Sequence, residues 1–132
     1  MKLNRHQIRE VAFQTLFAMD LDSKADPVQL FQTILKTTNA NYPDYLLQLV
    51  NGVKSHRPAL NAEISRFLKP DWTLDRIAKV DLIILQIAIY EIKNVKTVPN
   101  RVAVNEALQL ANEYSDPRSR RFVNGILDHE LN

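Results

Sequence analysis

The chain has 132 residues, 45% apolar and 24% charged, the balance of one globular domain rather than of a disordered segment. Two glycines and no cysteine exclude a phosphate-cradling Gly loop, disulfides, thiolate zinc, iron–sulfur clusters and thiol nucleophiles. With 17 Lys and Arg against 15 Asp and Glu, the net charge of +2 excludes indiscriminate coating of nucleic acid, so any anion site must be a local patch.

The first ten residues, MKLNRHQIRE, hold no apolar signal core. The longest apolar run, Leu82–Ile92, is interrupted by Gln86 and Glu91 and falls short of the ~20 residues of a membrane span. The expectation is a soluble, cytoplasmic, helical protein without membrane association.

Asn4 followed by Gln7 reads as a capping box that opens a first helix over Arg5–Leu21, with Ile8, Val11, Ala12, Leu16 and Met19 inward. Asp26-Pro27 starts a second helix carrying Val28, Phe31, Ile34 and Leu35, which the polar stretch Thr37–Asn41 ends. A third begins near Pro43, and Pro58 is expected to kink it or to divide it from a continuation bearing Leu60, Ile64, Phe67 and Leu68. Lys69-Pro70-Asp71 marks the boundary between an N-terminal subdomain of about 1–70 and a C-terminal one of about 71–132. Thr73 is expected to cap the next helix, whose stretch from Ile77 to Ile92 is apolar on nearly every face and belongs in the centre of the core. Pro99 precedes a helix with Val102, Val104, Ala107, Leu108 and Ala111 inward. Asp116-Pro117 opens the last, with Phe122, Val123, Ile126 and Leu127. The predicted fold is all-α: about seven helices in two bundled subdomains.

No catalytic constellation is visible. His6, His56 and His129 fall on three different helices, none with a second ligand at zinc-type spacing, so neither a metal site nor another cofactor is expected. Asp81, Glu91, Glu106 and Glu113 read as caps and surface charges, and the chain is read as a non-enzyme.

The cations are more informative. At about 100° per residue, Lys2, His6, Arg9, Phe13 and Phe17 fall in one arc of about 80° beside the apolar stripe of the first helix. Cations beside exposed rings suit single-stranded RNA, with phosphates on the charges and unstacked bases on the rings. The alternative is a solvated face whose two Phe pack on a neighbour. Arg118, Arg120 and Arg121 gather at the N-terminus of the last helix, where free N–H groups and the macrodipole favour a phosphate. Gly125, on the same side as Arg118 and Arg121, admits a neighbouring helix or a ligand. Lys79, Gln86, Tyr90 and Lys93 form the polar side of the central helix. On this reading Arg9 and Arg121 are exposed, and removing either lowers RNA affinity while leaving the unfolding midpoint nearly unchanged.

The blocks RHQIREVAFQTLFAMD (5–20), KVDLIILQIAIYEI (79–92), VPNRVAVNEALQLANEYS (98–115) and RRFVNGILD (120–128) resemble, in order and spacing, the signature blocks of the NusB family of bacterial transcription antitermination factors. The resemblance spans nearly the whole chain. It implies an all-helical, non-catalytic protein of two subdomains, monomeric or homodimeric. Such a protein pairs with ribosomal protein NusE, binds the single-stranded BoxA segment of nascent RNA and joins the RNA polymerase antitermination complex on ribosomal RNA operons. Carried onto this sequence, it places RNA contacts at Arg5, His6 and Arg9, at the aromatic Phe17, and at Arg120, Arg121 and Phe122. Asp81 matches an acidic position near both RNA and partner, and Arg118 stands where an acidic residue is common. With Lys2 and Lys79 these complete the expected RNA set, and Asp81, Tyr90 and Arg118 the expected partner set. His6, Gln7 and Ile8 interrupt the denser arginine cluster usual in the first helix, and Arg118 moves positive charge toward the last. Two other readings remain. One is the related RNA-binding module of ribosomal RNA cytosine methyltransferases, although the sequence contains no SAM-binding Gly-rich strand–turn. The other is a helical adaptor that binds only proteins.

Overall fold

The computed structural model describes residues 2–37 and 42–131. They form six α-helices, α1 (Arg5–Leu21), α2 (Pro27–Leu35), α3 (Asp44–Arg66), α4 (Lys79–Asn94), α5 (Asn100–Tyr114) and α6 (Pro117–Leu127), with 3₁₀ turns at Leu74–Arg76 and Asp128–Glu130. Among the described residues there is no strand, and no helix is long and apolar enough to cross a membrane.

Three helix starts are fixed by local side-chain chemistry. Asn4 Oδ1 accepts from Gln7 N–H at 2.8 Å while Gln7 Oε1 accepts from Asn4 N–H at 2.9 Å, the reciprocal box that opens α1. Asp26 accepts from Gln29 N–H at 3.1 Å and Asp116 from Ser119 N–H at 2.8 Å, each followed by a proline at the first helical position. α2 stops at Lys36, which takes a left-handed conformation with φ of 55°. The rest of the polar stretch expected to end it, 38–41, lies outside the described residues.

The count of seven helices becomes six because α3 continues through Pro58. The proline removes the donor to the Lys54 carbonyl, but Lys54, Ser55, His56 and Pro58 all face solvent, where water takes that role. Ser55 Oγ donates to the Asn51 carbonyl at 2.8 Å, and His56 Nδ1 lies 2.8 Å from the Gly52 carbonyl. Leu49, Val50 and Val53 before the proline and Leu60 and Ile64 after it stay on one buried face, so packing overrides the local break. The next helix also starts later than expected. The Thr73 hydroxyl donates to the Asp75 carboxylate instead of capping, the chain makes a 3₁₀ turn, and α4 begins at Lys79.

α4 lies at the centre, against α1 and α3 on one side and α5 and α6 on the other. Ile83, Ile84, Leu85, Ile87, Ala88 and Ile89 are all buried, which is why this helix is apolar all round. α3 and α4 approach closely where Gly52 lies under the Tyr90 ring. Val102, expected inward on α5, is exposed. The expected subdomain boundary at Lys69-Pro70-Asp71 falls in the turn between α3 and the first 3₁₀ segment, while the apolar core runs on continuously from α1 to α6.

Candidate nucleic-acid interface

The expected basic face of α1 is divided. Lys2 and Arg5 are exposed, with the Arg5 guanidinium 4.0 Å from the Tyr45 ring centre. Arg9 is not on the surface. It is 2% exposed, and its Nε donates to both Glu91 carboxylate oxygens at 3.0 and 3.1 Å. The Tyr45 hydroxyl donates to the same carboxylate, and Glu106 lies 3.8 Å from the other end of the guanidinium. Burial alone disfavours the Arg9 charge, but Glu91 outweighs it and holds the side chain protonated; burial and Glu91 together push the Tyr45 phenol up. Direct phosphate contact by Arg9 is therefore ruled out by its position, because α3, α4 and α5 together embrace a wider arc of α1 than the apolar stripe indicates. Phe13, in the same arc, is buried as well.

His6 is not in a basic patch either. Its Nδ1 lies 2.7 Å from Glu106 and its Nε2 2.7 Å from Glu113, with Glu10 at 3.5 Å. Burial lowers its proton affinity, and the bonds to Glu106 and Glu113 more than restore it, so the net shift is upward. An acidic cluster thus separates Lys2 and Arg5 from the aromatic end of the helix.

At that end Phe13, Gln14, Phe17, Val80 and Tyr114 line an open, mostly apolar notch of about 300 Å³. Phe13 is tilted against Tyr114 at 4.8 Å and against Phe17 at 6.2 Å, and Phe17 keeps part of its ring accessible. Tyr114 was not among the expected site residues. The signal for it was a lone aromatic at the polar C-terminal end of α5, four positions beyond the apolar Leu110.

The stripe on α4 is likewise split. Lys79 is exposed and 3.5 Å from Asp20, but Gln86 and Tyr90 are buried against α3. Gln86 donates to Asn61 at 2.9 Å, and the Tyr90 ring packs over Gly52 and edge-on to His56 at 5.4 Å. Tyr90 is therefore a helix-packing residue and cannot face a partner. Lys93 bridges Glu63 at 3.1 Å and Glu130 at 3.3 Å. Asp81 is also buried, beside Ser115 and Ser119 at the α5–α6 junction. Burial pushes its carboxyl up, the neighbouring Asp116 adds to this, and the two serines oppose it. Asp81 thus supports the start of α6 from beneath and is not at the surface.

Arg118, Arg120 and Arg121 are all exposed at the start of α6, and among the described residues none of them forms an ion pair. Arg120 and Arg121 border a hollow of about 340 Å³ with Leu108, Asn112, Pro117 and Asn124. On the other flank, Arg118, Arg121 and Phe122 edge a groove of about 620 Å³ that runs to Phe67 and Trp72. Gly125 opens onto this groove; no atom lies within 4 Å of where its Cβ would stand, so no neighbouring helix requires the glycine.

The structure joins two of the expected regions. Val80 and Tyr114 line the Phe17 notch, and the residues next to them, Asp81 and Ser115, meet beneath the first turn of α6. The notch thus reaches the chain end of α5 at Tyr114, and α6, with three arginines free of ion pairs in its first turns, begins at Pro117 just beyond it. The first N–H groups of α6, expected to be free for a phosphate, are instead taken by Asp116, which caps Ser119 N–H, while Arg120 N–H bonds the Asp116 carbonyl at 3.0 Å. What the site offers an anion is guanidinium forks, with a ring nearby on which a base can lie.

The sequence profile described as the NusB family matches residues 6–131. The transcription antitermination protein NusB of Levilactobacillus brevis is 56% identical, aligned over 99% of this chain and 94% of its own length. NusB of T. maritima superposes with a TM-score of 0.83 at 30% identity, covering 98% of this chain and 92% of that one. A structure of antitermination factors NusB and NusE with double-stranded RNA matches with a TM-score of 0.80 at 25% identity, over 96% of this chain and 94% of that one.

Proposed function

Because this chain belongs to the NusB family, we propose that it is a non-catalytic, cytoplasmic antitermination factor that binds the BoxA segment of nascent RNA as a single strand together with NusE. In this role it joins the RNA polymerase complex that resists termination on ribosomal RNA operons. The observation that carries the reading is the aromatic notch of Phe17 and Tyr114 ending where α6 begins with Arg118, Arg120 and Arg121 exposed and free of ion pairs. Phe17 and Tyr114 stack one base, and the Arg120 and Arg121 guanidiniums take the phosphates on either side. Lys79 adds charge at the edge of the notch. Lys2 and Arg5 hold a more distant phosphate, since the 12 residues from Arg5 to Phe17 span about 18 Å of helix.

The groove between Trp72 and Phe122 suits a protein rather than a nucleotide. Trp72 is 44% exposed and, with Phe67, Leu68 and Ile126, presents an apolar floor edged by Arg118. We assign NusE to this side, with Arg118 as its polar contact. RNA binding itself uses no cofactor.

With few phosphate contacts, RNA binding by this chain alone is weak and salt-sensitive, and strengthens when NusE supplies further surface. Titration of labelled BoxA RNA at two salt concentrations, with and without NusE, tests this. Equal affinity in all four conditions overturns it, and no RNA binding in any of them leaves the protein-only adaptor.

A further inference from the structure

We propose that His6, Glu10 and Glu113 form a binding site for one divalent transition-metal ion of the zinc class, tying the first turns of α1 to the end of α5. His6 Nε2 and one carboxylate oxygen each from Glu10 and Glu113 lie within 4.8 Å of one another. Donors sharing a tetrahedral ion at bonds of about 2.0–2.1 Å stand roughly 3.3 Å apart. Nε2 is already 3.5 Å from Glu10, and the 2.7 Å contact with Glu113 opens by a small turn of an exposed side chain.

The supporting shell separates this cluster from an ordinary acidic patch. Glu106 Oε2 lies 2.7 Å from His6 Nδ1, the position from which a carboxylate fixes the tautomer of a metal-bound imidazole once the ion displaces the Nε2 proton that now meets Glu113 at 2.7 Å. The Tyr114 hydroxyl donates to Glu10 Oε2 at 3.0 Å and accepts from Gln14 Nε2 at 2.9 Å, so the second oxygen of that ligand is also held. Charge points the same way. Three carboxylates face a single imidazole, and the one nearby guanidinium, Arg9, makes its close contacts with Glu91 and stands 3.8 Å from Glu106. Among the described residues no lysine pairs with Glu10, Glu106 or Glu113, which leaves negative charge for a dication to neutralise. One imidazole with two carboxylates and a solvent-facing fourth position suits zinc, cobalt or nickel. It does not suit magnesium or calcium, which require all-oxygen sets of higher number. The ion is accessory to the fold, whose core is complete without it. Its seat on α1 lies between Lys2 and Phe17.

The test uses the full chain freed of metal with a chelator. Titration with Co²⁺ should give one saturable site with the visible absorption of four-coordinate cobalt, displaced by Zn²⁺ and not by Mg²⁺. Glu113→Gln, at an exposed position that keeps the fold, and His6→Asn should each weaken binding at least tenfold, while His129→Ala should bind as wild type. Loss of the signal in both site variants with retention in His129→Ala supports the site. No saturable binding to the wild type, or equal binding in Glu113→Gln and His6→Asn, overturns it.

Discussion

Arg9 and Glu91 face each other across the α1–α4 contact, 2% and 1% exposed, with the guanidinium Nε 3.0 and 3.1 Å from the two carboxylate oxygens. A charge pair so far from water is stable only while both partners remain, because each alone would be an uncompensated buried ion. Tyr45 adds its hydroxyl to the same carboxylate and brings α3 into the arrangement, so one residue of each of three helices is held at a single point.

Arg9→Met should therefore cost about 3–5 kcal/mol of stability, contrary to the sequence-based expectation of a nearly unchanged midpoint. Combining it with Glu91→Leu and Tyr45→Phe, which removes the other two polar groups hydrogen-bonded at that buried point, should recover most of that loss. Urea unfolding of the single and triple variants measures both. A single variant as stable as wild type would contradict the burial of this pair.

The two glycines should respond in opposite directions. A Cβ at Gly52 overlaps the Tyr90 ring, so Gly52→Ala forces α3 and α4 apart and should destabilise by about 1–3 kcal/mol. Gly125 has open space at the same point, and Gly125→Ala should stabilise α6 by up to about 1 kcal/mol. Thermal melts of the two variants should straddle wild type. A loss of stability in Gly125→Ala would mean that the groove wall is closer than described.

Asp81 has a buried carboxylate oxygen, Oδ1, without a hydrogen-bond partner, and burial raises its proton affinity in the folded state. A group whose folded pKa is raised contributes fully below its unfolded value, about 3.9 for Asp, and that contribution is lost as pH rises through the folded value. Asn cannot ionise, so the stability of Asp81→Asn relative to wild type should become more favourable between about pH 4 and about pH 7. Denaturation at the two pH values decides it. A difference that is constant, or that shifts toward wild type, would contradict the assigned burial.

Trp72 is the only tryptophan in the chain and lines the groove assigned to NusE. Addition of NusE should shift its emission to the blue, as an exposed indole leaves water. The signal should be absent from Trp72→Phe, and Arg118→Glu should weaken the titration about tenfold or more. Emission unchanged at saturating NusE would place the partner elsewhere.

The helices were largely legible because their starts are local. Asn4, Asp26 and Asp116 each cap a backbone N–H three residues on, and a reader of the sequence sees both partners together. Pro58 and Thr73 misled for the converse reason. Whether a proline divides a helix, or a threonine starts one, was decided by the buried face of α3 and by the 3₁₀ turn ahead of α4. At the candidate site the aromatic Phe17 and the α6 arginines were visible from periodicity and from the dipole argument. Arg9 and His6 were misplaced because their partners are remote: Glu91 is 82 residues from Arg9, and Glu106 and Glu113 are 100 and 107 from His6. Tyr90 and Asp81 were read as accessible because polar atoms usually are, yet each is buried where two helices meet.

The assignment of the α6 arginines to RNA is tested most directly by reversing charge at Arg120 and Arg121 together and measuring affinity for BoxA RNA in the presence of NusE. Both side chains are exposed and unpaired, so the double glutamate variant should melt within a few degrees of wild type. Its RNA affinity should fall by at least a hundredfold at low salt, with a shallower dependence on salt concentration because two phosphate contacts are gone. A folded Arg120→Glu/Arg121→Glu protein that binds the RNA as wild type does, with the same salt slope, would contradict the assignment of this surface to RNA.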